Sequence, residues 1–425
     1  MLFRDSLRTV TAAAFVADVE RNAARLLWDP DAPHVVNLCH DRYRFAVLFG
    51  ACVAAGRTSL LSGDQSPRAV AALAARYGQA RPLGDDWLEI APAGAEPAAA
   101  AAAIPAIDSD RVVAIVLTSG STGEPTASRK RWGELVARSR AAARRFGFVG
   151  EPAHDLVGSV PPHHMYGFET TVLLPLHAAV ASWCGPFFYP ADLRLALQAA
   201  AGRSTLVTTP VHLRTLLAPA PGKPVHQVIS ATAPLDAGLA GRIEREWGTQ
   251  VLEIFGATEV GSIASRRTVT EPAWRLYPGV TMVPDGETAS VQAPFADATR
   301  LSDSIACAED GQGFRLLGRA GDLVKLGGRR ASLSGLSRIL NRIDGVSDGI
   351  FVAPDDLECR PGARLLAFAV APGRAAPDLL ADLRRVIDPV FLPRRLILCE
   401  ALPRNATGKL ARGALLELLG ADADG

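Results

Sequence analysis

The chain has almost no net charge. Its 45 lysines and arginines are nearly balanced by 44 aspartates and glutamates, leaving a formal +1. A surface without excess cations gives no electrostatic basis for binding nucleic acid or an anionic membrane. It also lacks any run of about 18 apolar residues, the length a membrane-spanning helix needs. Met1-Leu2-Phe3-Arg4-Asp5 does not have the form of a signal peptide, so a soluble, cytoplasmic protein is expected. Cysteine is sparse and scattered. Cys39, Cys52, Cys184, Cys307, Cys359 and Cys399 include no C-x-x-C pair. That argues against a disulfide framework or a zinc site and leaves reduced structural thiols as the expectation.

Apolar residues make up 48% of the 425, ample material for a core and, by length, for two or more domains. Residues 8 to 28 predict an amphipathic helix, with Phe15, Val19 and Leu26 near helical spacing. Strand and helix then alternate: a strand over 34 to 39, a buried helix over 45 to 55, a strand over 57 to 61 and a helix over 68 to 77. This alternation predicts a layered α/β domain. Residues 91 to 106 are low-complexity Ala/Pro and read as a surface connection.

The densest pattern spans residues 112 to 126. Residues 112 to 118 are apolar and mostly β-branched up to the closing threonine, the composition of a short buried strand. Ser119-Gly120-Ser121-Thr122-Gly123 follows, almost without side-chain bulk. Its glycines let the backbone approach a ligand closely, and its hydroxyls and successive N–H groups form a donor-rich nest for phosphate oxygens. Glu124-Pro125 ends the loop, and residues 132 to 145 read as a helix. A plain polar turn uses the same small residues. Gly-Lys-Ser/Thr is missing, so this is not a Walker loop.

The string Leu117-Thr118-Ser119-Gly120-Ser121-Thr122-Gly123-Glu124-Pro125 resembles the phosphate loop of the acyl-adenylate-forming superfamily. That superfamily includes acyl-CoA synthetases, firefly luciferase and the adenylation domains of peptide synthetases. The resemblance implies that residues 118 to 123 bind ATP phosphates. The superfamily usually follows the proline with lysine. Thr126 stands here, with Arg129 and Lys130 nearby as candidate suppliers of the missing charge. The segment before the loop is shorter than is usual in acyl-CoA synthetases.

Other motifs follow in the superfamily's order. Pro161-Pro162-His163-His164-Met165-Tyr166-Gly167 holds two histidines that an extended chain would point to opposite sides, a poor chelating pair. It matches P-x-x-H-x-x-G, which implies that His164, Gly167 and Phe168 border the acyl group. Peptide-synthetase domains carry an aspartate for the substrate amine in this region. Histidine favours an acid without an α-amino group, with Glu169 as an unusual acidic contact to account for. Ser230-Ala231-Thr232-Ala233-Pro234-Leu235 resembles S-G-x-A-P-L, a segment that lines adenine and the acyl group and needs small side chains. Phe255-Gly256-Ala257-Thr258-Glu259 resembles Y-G-x-T-E, with phenylalanine for tyrosine. A carboxylate beside triphosphate makes sense if Glu259 holds magnesium, which favours oxygen ligands; Thr258 would meet the α-phosphate.

Asp303 matches the aspartate that takes both ribose hydroxyls, since a carboxylate offers two acceptor oxygens to a cis-diol. Arg319 falls at the junction between large and small domains, near the ribose. The usual hinge Asp or Lys position is Gly321, followed by Asp322. Lys325-Leu326-Gly327-Gly328-Arg329-Arg330 resembles the strand along the pantetheine tunnel. Pro403-Arg404-Asn405-Ala406-Thr407-Gly408-Lys409 resembles P-R-x-x-x-G-K, which puts Lys409 on the catalytic lysine that bridges carboxylate and α-phosphate.

The resemblance covers roughly residues 110 to 412. It implies an α/β protein with a large layered domain, 1–318, and a small mobile α+β domain, 319–425. The small domain is expected to have helices over 333–343 and 377–387 and strands near 349–352, 365–370 and 395–398. The expected reaction uses ATP and Mg2+ to activate an aryl or fatty acid as acyl-AMP. Catalytic residues would be Lys409, Glu259, Thr258 and His164. A domain rotation would then let a thiol, of coenzyme A or of an acyl carrier protein's phosphopantetheine, take the acyl group. Two alternatives remain. One is a catalytically impaired nucleotide- or partner-binding relative, suggested by Thr126, Phe255, Gly321 and Ser332. The other is an amino-acid-activating domain.

Overall fold

The computed structural model describes residues 1–27, 32–78, 80–92, 105–119, 125–150, 154–187, 189–217, 220–286, 288–319, 323–326, 329–354, 357, 364–404 and 410. These divide into two compact units. One comprises Met1–Thr281 with Val291–Thr299, the other Met282–Ser290 with Arg300–Asn405.

The first unit is built on two sheets. The smaller runs Arg81–Leu83, His34–Asn37, Thr58–Ser62, Val112–Ser119, Pro125–Arg131. Its first four strands are parallel and the last is antiparallel. In the larger, strands His154–Gly158, Arg203–Thr208, Gln227–Ser230 and Gln250–Ala257 lie parallel in that order. The antiparallel Gly261–Arg267 and then Trp274–Leu276 extend it on one side. Val180–Trp183, Phe3–Arg4 and Thr9–Val10 extend it on the other.

Strands such as His154–Gly158 and Gln227–Ser230 are buried along their whole length, as a parallel sheet covered on both faces requires. Helices Pro190–Ala199, Pro210–Leu216 and Ala237–Trp247 supply Leu193, Leu197, Leu213, Leu239 and Ile243, which pack on Leu206, Val228 and Val251. The last of these helices starts on Asp236, whose carboxylate accepts from Leu239 N at 3.0 Å, and stops at Gly248 with φ +60°.

The expected helix over 8 to 28 is Ala12–Leu27. Thr9–Val10 pairs with Phe3–Arg4 instead, and Thr11 Oγ1 accepts from Ala14 N at 3.2 Å, so strand pairing and a threonine cap set the later start. Arg42–Ala54 is buried on nearly every side. Its Phe45 and Phe49 meet Phe168 edge-on at 6.1 and 5.0 Å.

In the second unit the hairpin Asp303–Cys307/Gly313–Arg319 precedes a second hairpin, Leu323–Leu326/Arg329–Ser332. Helices Leu333–Leu340 and Ala376–Val386 pack Leu336, Leu340, Leu379 and Leu383 against Phe351 and Leu396. Those two belong to the sheet Asp348–Val352, Leu366–Val370, Arg395–Leu398. Ser332 caps the first helix by accepting from Gly335 N at 3.0 Å. The whole is a mixed α/β architecture. Among the described residues no helix is long and apolar enough to cross a membrane. The 91–106 connection and the hinge pair Gly321 and Asp322 fall wholly or mainly outside those residues.

Candidate active site

Val112–Ser119 is a central strand with Val113 to Leu117 buried. Pro125–Arg131 runs back along it, setting Thr118 opposite Thr126 and Ser119 opposite Pro125. Gly120, Ser121, Thr122 and Gly123 lie outside the described residues, as does Lys409. On the return strand neighbouring side chains face opposite ways: Arg129 is exposed, whereas Lys130 is 1% exposed. Lys130 Nζ donates to the carbonyls of Thr258 at 2.5 Å and Glu259 at 2.8 Å. Ser128 Oγ, two residues back, donates to Thr258 O at 3.3 Å. Burial, reinforced by the Arg138 charge, pulls the Lys130 ammonium down to a pKa of about 8. Lys130, a candidate donor to the ATP phosphates, is thus held beneath the Thr258–Glu259 turn.

That turn joins Gln250–Ala257 to Gly261–Arg267, with a register shift between Phe255 and Gly256. Gly256 is required sterically: a Cβ there would overlap the Gly261 carbonyl oxygen and lie 2.9 Å from both Gly261 C and Ser262 Cα. The Phe255 ring lies 5.5 Å from Trp274, over whose ring the Arg266 guanidinium also sits, 4.5 Å from the ring centre. Thr258 is half-buried, Val260 is fully buried, and Glu259 is exposed.

Glu253, on the same strand, is 3% exposed. It accepts from Leu235 N at 2.8 Å, Arg266 Nε at 2.9 Å and Thr268 Oγ1 at 3.0 Å. This anchors the segment carrying Ala231, Thr232 and Ala233. Thr232 has φ +79°, the one non-glycine residue with positive φ among those described. A β-branched side chain is strained there by about 1–3 kcal/mol. Tyr166 OH donates to Ile229 O at 2.9 Å and Thr208 O at 3.2 Å, tying the C-terminal ends of the Arg203–Thr208 and Gln227–Ser230 strands to the histidine segment.

The histidine segment is not extended. It turns into a helix at Met165–Gly167 that widens over Phe168–Leu173, with His164 at its N-cap. Gly167 packs so tightly on the Pro161 carbonyl that a Cβ has no room. His164 is half-buried. His163 is buried beside His40, 6.4 Å away between ring centres, and desolvation, with the His40 charge, lowers its pKa to about 4. Phe168, expected at the acyl group, has no exposed surface and packs on Phe45 and Phe49. Glu169 is fully engaged. Arg138 Nη1 donates to it at 2.9 Å, and Ser262 donates to it through its backbone N–H at 3.3 Å and its hydroxyl at 2.5 Å, so it has no free carboxylate for a substrate amine.

In the second unit, Asp303 is buried and stands opposite Arg319 in the hairpin register. Magnesium is commonly held by one or two carboxylates plus substrate phosphates. The exposed Glu259 carboxylate suits that role, and no group of three or more His, Cys, Asp or Glu suited to a metal occurs among the described residues.

A family model described as AMP-binding enzyme matches residues 64–292, just over half of the chain. The chain belongs to the AMP-binding enzyme family. Among relatives, 4-coumarate–CoA ligase of Rhodobacter capsulatus is 29% identical over 311 residues, 71% of this chain and 75% of that one. The p-hydroxybenzoic acid–AMP ligase of Mycobacterium tuberculosis is 25% identical over 452 residues, 92% of this chain and 61% of that one. Among solved structures, O-succinylbenzoate coenzyme A synthetase from Bacillus subtilis, in complex with ATP and magnesium ion, superposes with a TM-score of 0.80. It is 18% identical and covers 96% of this chain and 94% of that one, a likeness of fold.

Two features of this AMP-binding enzyme escaped the sequence reading. The Pro125–Arg131 strand has no apolar alternation to announce it. Glu253 did leave a signal, a lone carboxylate inside an otherwise apolar strand.

Proposed function

We propose that this AMP-binding enzyme is an acid–thiol ligase acting through an acyl-adenylate. A substrate carboxylate oxygen attacks the α-phosphorus of ATP. The α–β phosphoanhydride bond breaks, and its electron pair leaves with pyrophosphate. A thiol sulfur then attacks the acyl carbon; the bond to AMP breaks, and the thiol proton passes to solvent. The observation that carries this reading is the joining of two motifs about as far apart in sequence as Lys130 and Glu259. Ser128 and Lys130, just beyond the loop, bond the carbonyls of the Thr258–Glu259 turn.

In this reading Thr118 to Gly123 take the phosphate oxygens. Ala231, Thr232, Ala233, Phe255 and Gly256 border adenine and the acyl group. Thr258 meets the α-phosphate, and Asp303 and Arg319 take the ribose. Glu259 would hold magnesium, which when bound draws charge from the triphosphate. Lys409 offsets charge developing between carboxylate and phosphate. His164 and Gly167 flank the acid, with Phe168 as packing behind them. Residues 1–318 would form the ATP- and acyl-binding domain, and 319–425 the mobile domain.

The acid we favour is aryl, because the relatives are ligases of 4-coumarate and p-hydroxybenzoic acid. Coenzyme A is the favoured acceptor because the relatives include 4-coumarate–CoA ligase, with a carrier-protein phosphopantetheine as the alternative. The engaged Glu169 argues against an amino acid. The test is pyrophosphate release over a panel of aryl, short-chain and long-chain acids, followed by transfer to coenzyme A or holo carrier protein. Acid-dependent release that is strongest for aryl acids supports the proposal. Nucleotide binding with no release for any acid would instead favour the catalytically impaired relative.

A further inference from the structure

The chain contains only four lysines, Lys130, Lys223, Lys325 and Lys409; its remaining cations are arginines. One of the four is spent in the interior. Burying an ammonium is costly unless its donors are satisfied, and here two of its three donors meet the carbonyls of two successive residues, Thr258 and Glu259. Carbonyls of neighbouring residues in a strand point opposite ways, so two that converge on one atom define a turn. A compact head with three rotatable donors suits that geometry better than a planar guanidinium fork. The bonds are charge-assisted and therefore stronger than neutral ones. Ser128, on the same face of the strand, adds a third tie to the turn, at the Thr258 carbonyl.

We propose that Lys130 is a positioning residue for magnesium-bound nucleotide. It fixes the backbone of Thr258 and Glu259, and through it the directions in which the Thr258 hydroxyl and the Glu259 carboxylate project. This deepens the ligase reading and rests on it. It differs from a direct role for Lys130 on the ATP phosphates, because its ammonium is occupied by protein carbonyls.

Lys130→Met preserves length without charge, and Lys130→Gln keeps a single amide donor group. Both are compared with the full wild-type chain by calorimetric titration of ATP with and without magnesium, and by acid-dependent pyrophosphate release. For folded Lys130→Met, the magnesium-dependent gain in ATP affinity should fall about 10- to 100-fold, the scale lost when a residue orienting a metal ligand is removed. Metal-free ATP affinity should change by less than about threefold, because the residue acts through the metal-binding turn. The kcat for pyrophosphate release should fall with the magnesium effect while KM for the acid holds, and Lys130→Gln should recover part of the loss.

Equal loss of ATP affinity with and without magnesium would overturn the proposal in favour of direct phosphate contact or mere structural support. So would a folded variant indistinguishable from wild type. If Lys130→Met does not fold, Lys130→Gln is judged by the same split. A wild type that binds magnesium–ATP but releases no pyrophosphate refutes the ligase reading, while the binding data still decide on Lys130. A wild type that binds no ATP refutes both.

Discussion

Gly256→Ala is the sharpest probe of the hairpin that carries Thr258 and Glu259. The new methyl would overlap the Gly261 carbonyl oxygen and lie 2.9 Å from Gly261 C and Ser262 Cα, where ordinary contact begins at 3.4 Å. All three atoms are backbone, so no side chain can swing aside. The Gly261–Arg267 strand must retreat at its turn end, beside the residue that bonds Glu169. Overpacking of this kind costs about 1–3 kcal/mol of stability. A displacement of about 1 Å at a reacting geometry can cost roughly 10²-fold in rate. We expect pyrophosphate release to fall by about that factor at saturating ATP, with a modest loss of melting temperature. Gly63→Ala provides the baseline, since nothing lies within 4 Å of a Cβ there. Wild-type kcat/KM in Gly256→Ala, with a melting temperature equal to the Gly63→Ala control, would refute the steric reasoning.

Glu259→Gln should stay folded and lose about 10²-fold or more in adenylation, the scale of one transition-state electrostatic partner; near-normal pyrophosphate exchange would sink its assignment to magnesium. Lys409→Ala should lose acyl-AMP formation by a large factor yet still transfer the acyl group from supplied acyl-AMP to a thiol. Equal falls in both half-reactions would count against that division of labour. His163 titrates near 4 when folded, below its ordinary 6.5, so protonation favours the unfolded chain. The associated stability is fully present above pH 6.5 and is lost as pH falls towards 4. Between about pH 7 and about pH 5 this amounts to about 2 kcal/mol. Urea midpoints should show the loss in wild type and a smaller one in His163→Gln; identical pH slopes would count against it.

Much of the fold was legible because burial leaves a simple record. The helix at Trp132–Arg145 and the strand at Arg395–Leu398 fall on the residues where they are expected. Pro125–Arg131 was not legible. Proline, small residues and three consecutive cations carry no strand pattern, and it is a strand because Val112–Ser119 pairs with it. The positions of the motifs could be read from the residues, but which groups touch could not. Lys130 reads in sequence, like Arg129, as a candidate supplier of charge to the phosphates, and only the pleat turns it inward while Arg129 faces out. Phe168 reads as pocket lining, yet the widened helix turn directs it into the aromatic core. Glu169 could be read as a free acid only until Arg138, from a separate helix, was seen to occupy it.

The Glu253 carboxylate bears on how far this protein can be re-engineered. It hangs the Ala231–Leu235 segment on the strand that also carries Phe255, Gly256 and the Thr258–Glu259 turn. In the proposed reading, recognition of the acid and handling of the nucleotide therefore share one mechanical support. Libraries that randomise the 231–235 segment to change acid choice should throw off many variants whose apparent loss of specificity is really a shifted Thr258–Glu259 turn. Selections are better aimed at side chains that leave the Leu235 N–H bond to Glu253 intact, so that substrate range can change without disturbing the shared support.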